Sequence, residues 1–289
     1  RQLGDPLEAR RLVEHVLIEK GSLTGSRAPS APLMLGDAMP PEASALLSEL
    51  VERRSGGEPL QHVLGGWGFR SLEVAVDGRA LVPRPETETV VQHALDELDR
   101  LQARDPSPEP LVADLGTGSG VIALSIAVER PDAQVHAVDQ SAQALSLAAE
   151  NLASLPLHVR SRVHLSQGDW FGGLSPDLEG KLAVVVANPP YLAGSEWETL
   201  DPVVRDYDPY EALIAGPSGL EAMSILIEQA PTWLVRGGAL VVEIAPHQRE
   251  GVLALVASRG RGYAEATVEP DLAGRPRVLV GRTPTPDEP

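Results

Sequence analysis

Apolar residues follow two rhythms along this chain, and the change comes near residue 110. Before it the spacing is helical. Leu7, Leu12, Val13, Val16 and Leu17 form one stripe, and Ala43, Leu46, Leu47, Leu50 and Val51, after Pro41, form another. A further helix is predicted from about Glu86 to Leu101, with Val90, Val91, Ala94, Leu95 and Leu98 on one face. Beyond residue 110 short apolar runs alternate with helical stretches: Leu111 to Leu115, Gln134 to Val138, Val163 to Ser166, Leu182 to Ala187 and Ala239 to Ile244. Strands in such alternation predict an α/β fold built on an open, largely parallel sheet.

Punctuation between these segments divides the chain. Gly21 to Pro32, rich in Gly, Ser and Pro, reads as a loop, and residues 1–65 as a small helical domain whose stripes form their own core. Leu72, Val74 and Val76 alternate ahead of Asp77-Gly78, which predicts a β-hairpin from Trp67 to Val82 turning at Asp-Gly; residues 66–84 then join the domains. Residues 85–282 make the larger domain, entered through a proline-rich linker from Arg104 to Pro110. The acidic and aromatic stretch from Trp197 to Tyr210, ending near Gly216-Pro217-Ser218-Gly219, predicts a structureless flap over an active site. A helix is expected from Leu220 to Leu234. Tyr263 to Val268 and Arg277 to Val280 predict an antiparallel hairpin at the sheet edge, and residues 283–289 a disordered tail.

Candidate chemistry sits where the predicted strands end. Asn188-Pro189-Pro190-Tyr191 directly follows the run Leu182 to Ala187. Two prolines stiffen that loop and remove two N–H donors, so its carbonyls are free to accept. An amide, those carbonyls and an aromatic ring together suit a planar –NH2 group: two acceptors for its two hydrogens and a ring face beside it. Upstream, Leu111 to Leu115 runs into Gly116-Thr117-Gly118-Ser119-Gly120 and a helix, the opening of a βαβ unit. A dinucleotide fingerprint would need its third glycine at Val121, and no Gly-Lys-Ser/Thr follows to make a P-loop. Asp114 before the turn would repel a pyrophosphate and suits a cationic amino-acid group. Asp139, ending the second strand, stands where an acid accepts both ribose hydroxyls. Asp169 and Trp170, in Gly168-Asp169-Trp170-Phe171, set a carboxylate beside an indole against which an adenine can lie.

Together these residues resemble a class I S-adenosylmethionine-dependent methyltransferase, with Asn-Pro-Pro-Tyr as the signature of amino-group methylation. Three further segments are similar to the release factor glutamine methyltransferase (PrmC/HemK) family: Arg54 to Gly65, Leu81-Val82-Pro83-Arg84-Pro85-Glu86-Thr87-Glu88, and Asp271-Leu272-Ala273-Gly274 ahead of Arg277-Val278. The matches run from about residue 50 to residue 282. His62, Glu86 and Ala245 depart from the residues usual in that family.

The resemblance implies a Rossmann-like seven-stranded sheet with a small N-terminal helical domain joined by a β-hairpin. It implies methyl transfer from S-adenosylmethionine, leaving S-adenosylhomocysteine, to the N5 amide nitrogen of the glutamine in the Gly-Gly-Gln motif of class 1 peptide-chain release factors. Asn188, Pro189 and Tyr191 would be catalytic. Asp114, Gly116, Thr117, Gly118, Gly120, Asp139, Asp169, Trp170 and Asn188 would hold the cofactor, and Asn188, Pro189, Pro190, Tyr191, Arg84 and Glu86 the substrate. Adenine-N6 methylation of DNA or RNA is the alternative, because an exocyclic –NH2 offers the same two hydrogens.

Composition and charge narrow the choice. The net charge of −17 is uneven: residues 1–70 hold 8 Lys and Arg against 9 Asp and Glu, and the remainder 16 against 32. An acidic catalytic portion disfavours nucleic acid and favours a protein substrate. With 3% aromatic residues the core must rest on Leu, Val, Ile and Ala. The absence of cysteine excludes disulfides and thiol catalysis and fits a reducing, cytoplasmic compartment. The 7 histidines are scattered without ligand spacing, so no metal is expected. No run is long enough to span a membrane, and no signal-peptide pattern opens the sequence.

Overall fold

A strand that is apolar throughout can be buried only in a sheet covered on both faces, and the architecture follows from that need. The structure is a computed structural model, and it describes residues 5–19, 41–104 and 109–285. The loop expected at Gly21 to Pro32, residues 105–108 of the expected linker and residues 286–289 of the expected tail lie outside the described residues.

Helices Pro6–Glu19 (α1), Pro41–Ser55 (α2) and Leu60–Leu64 (α3) pack on one another through Leu12, Val16, Ala43, Leu50, Leu60 and Val63. Leu7, assigned to the stripe by its spacing, is instead 67% exposed. Trp67 touches both this cluster and the main core.

The hairpin that follows differs from expectation. Its strands are Gly66–Phe69 (β1) and Leu72–Ala75 (β2), with Phe69 opposite Leu72, so the turn is Arg70-Ser71 and not Asp77-Gly78. Arg70 takes a left-handed backbone (φ 49°) that arginine does not favour on its own. Distant partners hold it there: its N–H donates to Glu88 Oε1 (3.1 Å), and its guanidinium donates to both carboxylate oxygens of Glu129 at 2.6 Å. Asp77 meanwhile binds the Arg79 guanidinium at 2.7 Å. Tertiary contacts override the local turn preference.

The larger part begins with Thr87–Arg104 (α4). It continues through Leu111–Leu115 (β3), Val121–Glu129 (α5), Gln134–Asp139 (β4), Ala142–Ala153 (α6), Leu157–Arg160 (α7), Val163–Gln167 (β5) and Leu182–Ala187 (β6). After Leu192–Ala193 (β7), Pro202–Tyr207 (α8), Tyr210–Leu213 (α9) and Ile214–Gly216 (β8) come Glu221–Trp233 (α10), Leu234–Glu243 (β9), Arg249–Arg259 (α11), Glu265–Pro270 (β10) and Pro276–Arg282 (β11). Among the described residues, seven strands form one sheet in the order β10-β11-β9-β6-β3-β4-β5. From β9 to β5 neighbours run parallel, whereas β11 is antiparallel to both β9 and β10, the expected edge hairpin.

Alternate residues of β6 serve opposite layers. Val184 and Val186 join the core containing Val90 and Val91 of α4 and Leu124 of α5, while Val185 and Ala187 join Leu226 and Ile227 of α10. The chain lays down β3, β4 and β5 outward in one direction, then returns to place β6 on the other side of β3. That reversal opens a crevice at the carboxyl ends of β3 and β6, where ligands of open α/β sheets bind. Leu115 is in register with Ala187, so the glycine loop and the Asn188 loop leave the sheet side by side.

The expected flap is not structureless. β7 and β8 pair in parallel at its two ends, and α8 and α9 lie between them.

Candidate active site

At the end of β3, the N–H groups of Gly116 and Thr117 both donate to Val138 O of β4, at 2.8 and 2.9 Å. The bend needs a left-handed backbone at Gly116 (φ 75°), and the Trp170 ring lies 3.5 Å from where a Cβ would stand. Gly120 (φ 86°) serves packing, since an added Cβ would come within 3.2 Å of the Ala148 Cβ on α6. Trp170 is itself left-handed (φ 46°), a strained backbone for a bulky residue that fixes its indole over the loop.

Asp114 is wholly buried behind this loop and does not line the crevice. Its Oδ2 accepts from Thr117 Oγ1 (2.6 Å) and from the Ala123 N–H (3.0 Å), while Oδ1 has no partner. Burial pushes its carboxyl up to about 7, against the two hydrogen bonds, with Asp139 adding a smaller push. As placed, this acid clamps the loop. Asp139 does face the crevice. Its oxygens accept from Gly118 N–H and Ser141 N–H, both at 2.8 Å, and each keeps a lone pair for a hydroxyl.

On the adjacent strand, Asn188 Nδ2 donates to Thr87 Oγ1 (3.2 Å), and Thr87 Oγ1 donates to Glu243 Oε2 (2.7 Å). Thr87 and Glu243 are 3% and 1% exposed. Asn188 Oδ1 is buried without a partner. Burial pushes the Glu243 carboxyl up to about 7; the Thr87 bond and Arg277 oppose this and Glu86 adds to it. Burial, then Glu243, also raises the Tyr191 phenol. The loop is pinned at Tyr191 O, which accepts from Gln248 Nε2 (2.9 Å), while Gln248 Oε1 accepts the Ala245 N–H (3.1 Å). Ala245 thus contributes through its backbone.

Between these loops lies a cavity of about 490 Å³, a size suited to a cofactor-sized ligand. Gly116, Thr117, Gly118, Asp139, Asp169, Trp170, Asn188, Pro190 and Arg84 line it. Asp114, Gly120, Pro189, Tyr191 and Glu86 do not. Glu86 accepts from Arg275 at 3.2 Å. Arg84 pairs at 2.7 Å with Asp208, whose carboxylate is 2% exposed at the end of α8, and it also borders a second cavity of about 300 Å³ reaching Arg11, Arg54 and Trp67. Sequence reading missed Thr87, Glu243, Gln248 and Asp208 as parts of the site. A signal existed for Glu243, a lone acid inside Ala239 to Ile244, and for Thr87, inside the Pro-Arg-Pro-acid-Thr-Glu segment. Gln248 carries none. Among the described residues no group of three or more acids and histidines is placed to hold a metal, and no helix is long and apolar enough to cross a membrane.

A parallel sheet with its crevice at the β3/β6 reversal, a glycine loop opposite a strand-end carboxylate and a stiff amide-bearing loop define a methyltransferase of class I. Known proteins narrow this further. Residues 98–205 match the family model "Methyltransferase small domain", and residues 4–65 match "PrmC N-terminal domain". The release factor glutamine methyltransferase of Streptomyces coelicolor is 42% identical, over 82% of this chain and 80% of its own length. That of Deinococcus radiodurans is 39% identical over 96% and 90%. A structure of the hMettl16 catalytic domain with an RNA hairpin covers 86% of this chain and 84% of its own at TM-score 0.54 and 13% identity, a likeness of fold alone. The chain belongs to the release factor glutamine methyltransferase family.

Proposed function

We propose that this enzyme methylates the N5 side-chain nitrogen of the glutamine in the Gly-Gly-Gln motif of class 1 peptide-chain release factors, with S-adenosylmethionine as donor. The observation that carries the reading is Asn188: an amide at the end of β6, tied through Nδ2 to Thr87, with Oδ1 buried and unpaired beside the cavity. A buried acceptor without a donor is costly, and a substrate N–H relieves that cost.

The residues present fit the cofactor. Asp139 offers two carboxylate oxygens to a ribose diol, Trp170 an indole face to an adenine, and the Gly116 to Gly118 backbone a close approach. When bound, S-adenosylmethionine supplies an electrophilic sulfonium methyl. The chain's own task is the acceptor, since a carboxamide nitrogen is a poor nucleophile. Asn188 Oδ1 accepts one N–H of the glutamine amide and holds its nitrogen in line. Alignment of this kind can supply up to ~7–11 kcal/mol. The same acceptor dipole favours positive charge developing on that nitrogen, which releases a proton to solvent after the transfer.

The test is incubation with labelled donor and, in separate arms, a class 1 release factor, the same factor with its Gly-Gly-Gln glutamine replaced by alanine, DNA and RNA. Label is expected in the first arm only. Asn188→Ala should reduce turnover by at least a hundredfold while cofactor affinity by calorimetry changes little. Label in nucleic acid and none in the release factor would refute the substrate assignment.

A further inference from the structure

Resting on that reading of Asn188, we infer that Thr87 is a positioning residue, whose hydroxyl, committed as donor to Glu243, sets the Asn188 amide so that Oδ1 is the acceptor left for the substrate. A threonine hydroxyl has one hydrogen and two lone pairs. With Glu243 ionised, the hydrogen goes to Glu243 Oε2 at 2.7 Å, and a lone pair is left for Asn188 at 3.2 Å. Only the NH2 end of an amide can approach a lone pair. The Asn188 amide is therefore fixed in one of its two half-turn orientations, and its carbonyl end is the one buried without a partner.

Turning the amide over would set Asn188 Oδ1 against the Thr87 lone pair, acceptor facing acceptor. The clash could be relieved by swinging the Thr87 hydrogen to Asn188, but Glu243, 1% exposed, would then lose that donor in a dry site. A flipped Asn188 would also offer N–H to a substrate that brings N–H. The relay thus selects between an amide that binds the acceptor nitrogen and one that repels it. Three parts of the fold meet here: α4 brings Thr87 at its first residue, β6 leads into Asn188, and β9 ends at Glu243.

The experiment compares Thr87→Val, Thr87→Ser and Asn188→Ala, alone and as Asn188→Ala with Thr87→Val, using a class 1 release factor and labelled donor. Thr87→Val keeps the shape and removes the hydroxyl; kcat is expected to fall at least tenfold, with cofactor affinity by calorimetry within twofold. Thr87→Ser keeps the hydroxyl and should retain at least a third of kcat. In the Asn188→Ala background Thr87→Val should cost nothing further within twofold, because the group it orients is gone. Should Thr87→Val not fold, judged by thermal unfolding, Thr87→Ala takes its place with the same expectations. Wild-type kcat in the hydroxyl-free variant, failure of serine to rescue, or a full additional loss on top of Asn188→Ala would each overturn the positioning role. If Asn188→Ala itself keeps its turnover, the proposed reaction at this loop fails instead, and the two failures are told apart.

Discussion

Two carboxylates that the sequence places alike, each at a strand end, acquire different roles from their surroundings. Asp139 faces the crevice, so Asp139→Ala should weaken S-adenosylmethionine at least tenfold by calorimetry, since hydrogen bonds to a charged acceptor contribute ~1.5–3 kcal/mol each. Unchanged affinity would remove Asp139 from the cofactor site. Asp114 is buried, and its carboxyl is pushed up to about 7. The sign follows from proton counting. Between about pH 4, where an unfolded aspartate ionises, and pH 7 the folded chain retains a proton that the unfolded chain has lost. Rising pH therefore drains stability through this group across that window. Asp114→Asn does not titrate, so its stability relative to wild type should rise from pH 4 to pH 7 by up to about 4 kcal/mol, at about 1.4 per pKa unit. Urea unfolding of both proteins without cofactor at several pH values measures the difference, and a flat difference would contradict the burial argument. The glycine loop and both acids were legible because they close apolar strands at the carboxyl edge of the sheet, where open α/β sheets bind ligands. That one lines the crevice and the other clamps the loop depends on which way the bend turns them.

At the scale of elements, β3 and β6 were located to the residue, because each is a short apolar run closed by turn formers, Pro110 and Gly116 around one and Gly180 and Asn188-Pro189 around the other. Periodicity failed where tertiary contacts decide. The hairpin turns at Arg70 because Glu88 and Glu129 hold it, and neither acid is near in sequence. The supposed open flap carries α8 and α9, and Asp208 at the end of α8 is held by Arg84 from the other side of the site. Burial raises the Asp208 carboxyl even with Arg84 beside it. Arg84→Ala leaves that carboxylate without its cation, so residues 202–213 should exchange their amide hydrogens on the order of tenfold faster, with α1 to α3 unaffected. Exchange at the wild-type rate would show that the ion pair does not tie the flap down.

For the whole molecule, the question is how the amino-terminal helices are joined to the sheet. Trp67 touches both clusters, and removing an aromatic side chain that is half-buried should cost about 2 kcal/mol, below the full-burial range. Trp67→Ala should split the thermal transition seen by scanning calorimetry, the helices melting first; a single transition at the wild-type temperature would mean that other contacts carry the coupling. Acidity also acts at this scale. A chain of net charge −17 repels polyanions at long range, so substrate choice is made partly before contact.

By itself the sequence determined the layered α/β architecture, the crevice-forming strand ends and the residue types gathered there, because periodicity and strand-end chemistry are local. Only the tertiary structure decided which acceptor stays free. That outcome needs Thr87, Asn188 and Glu243, from three distant segments, to meet in a dry space where the Thr87 hydroxyl donates to Glu243 and accepts from Asn188.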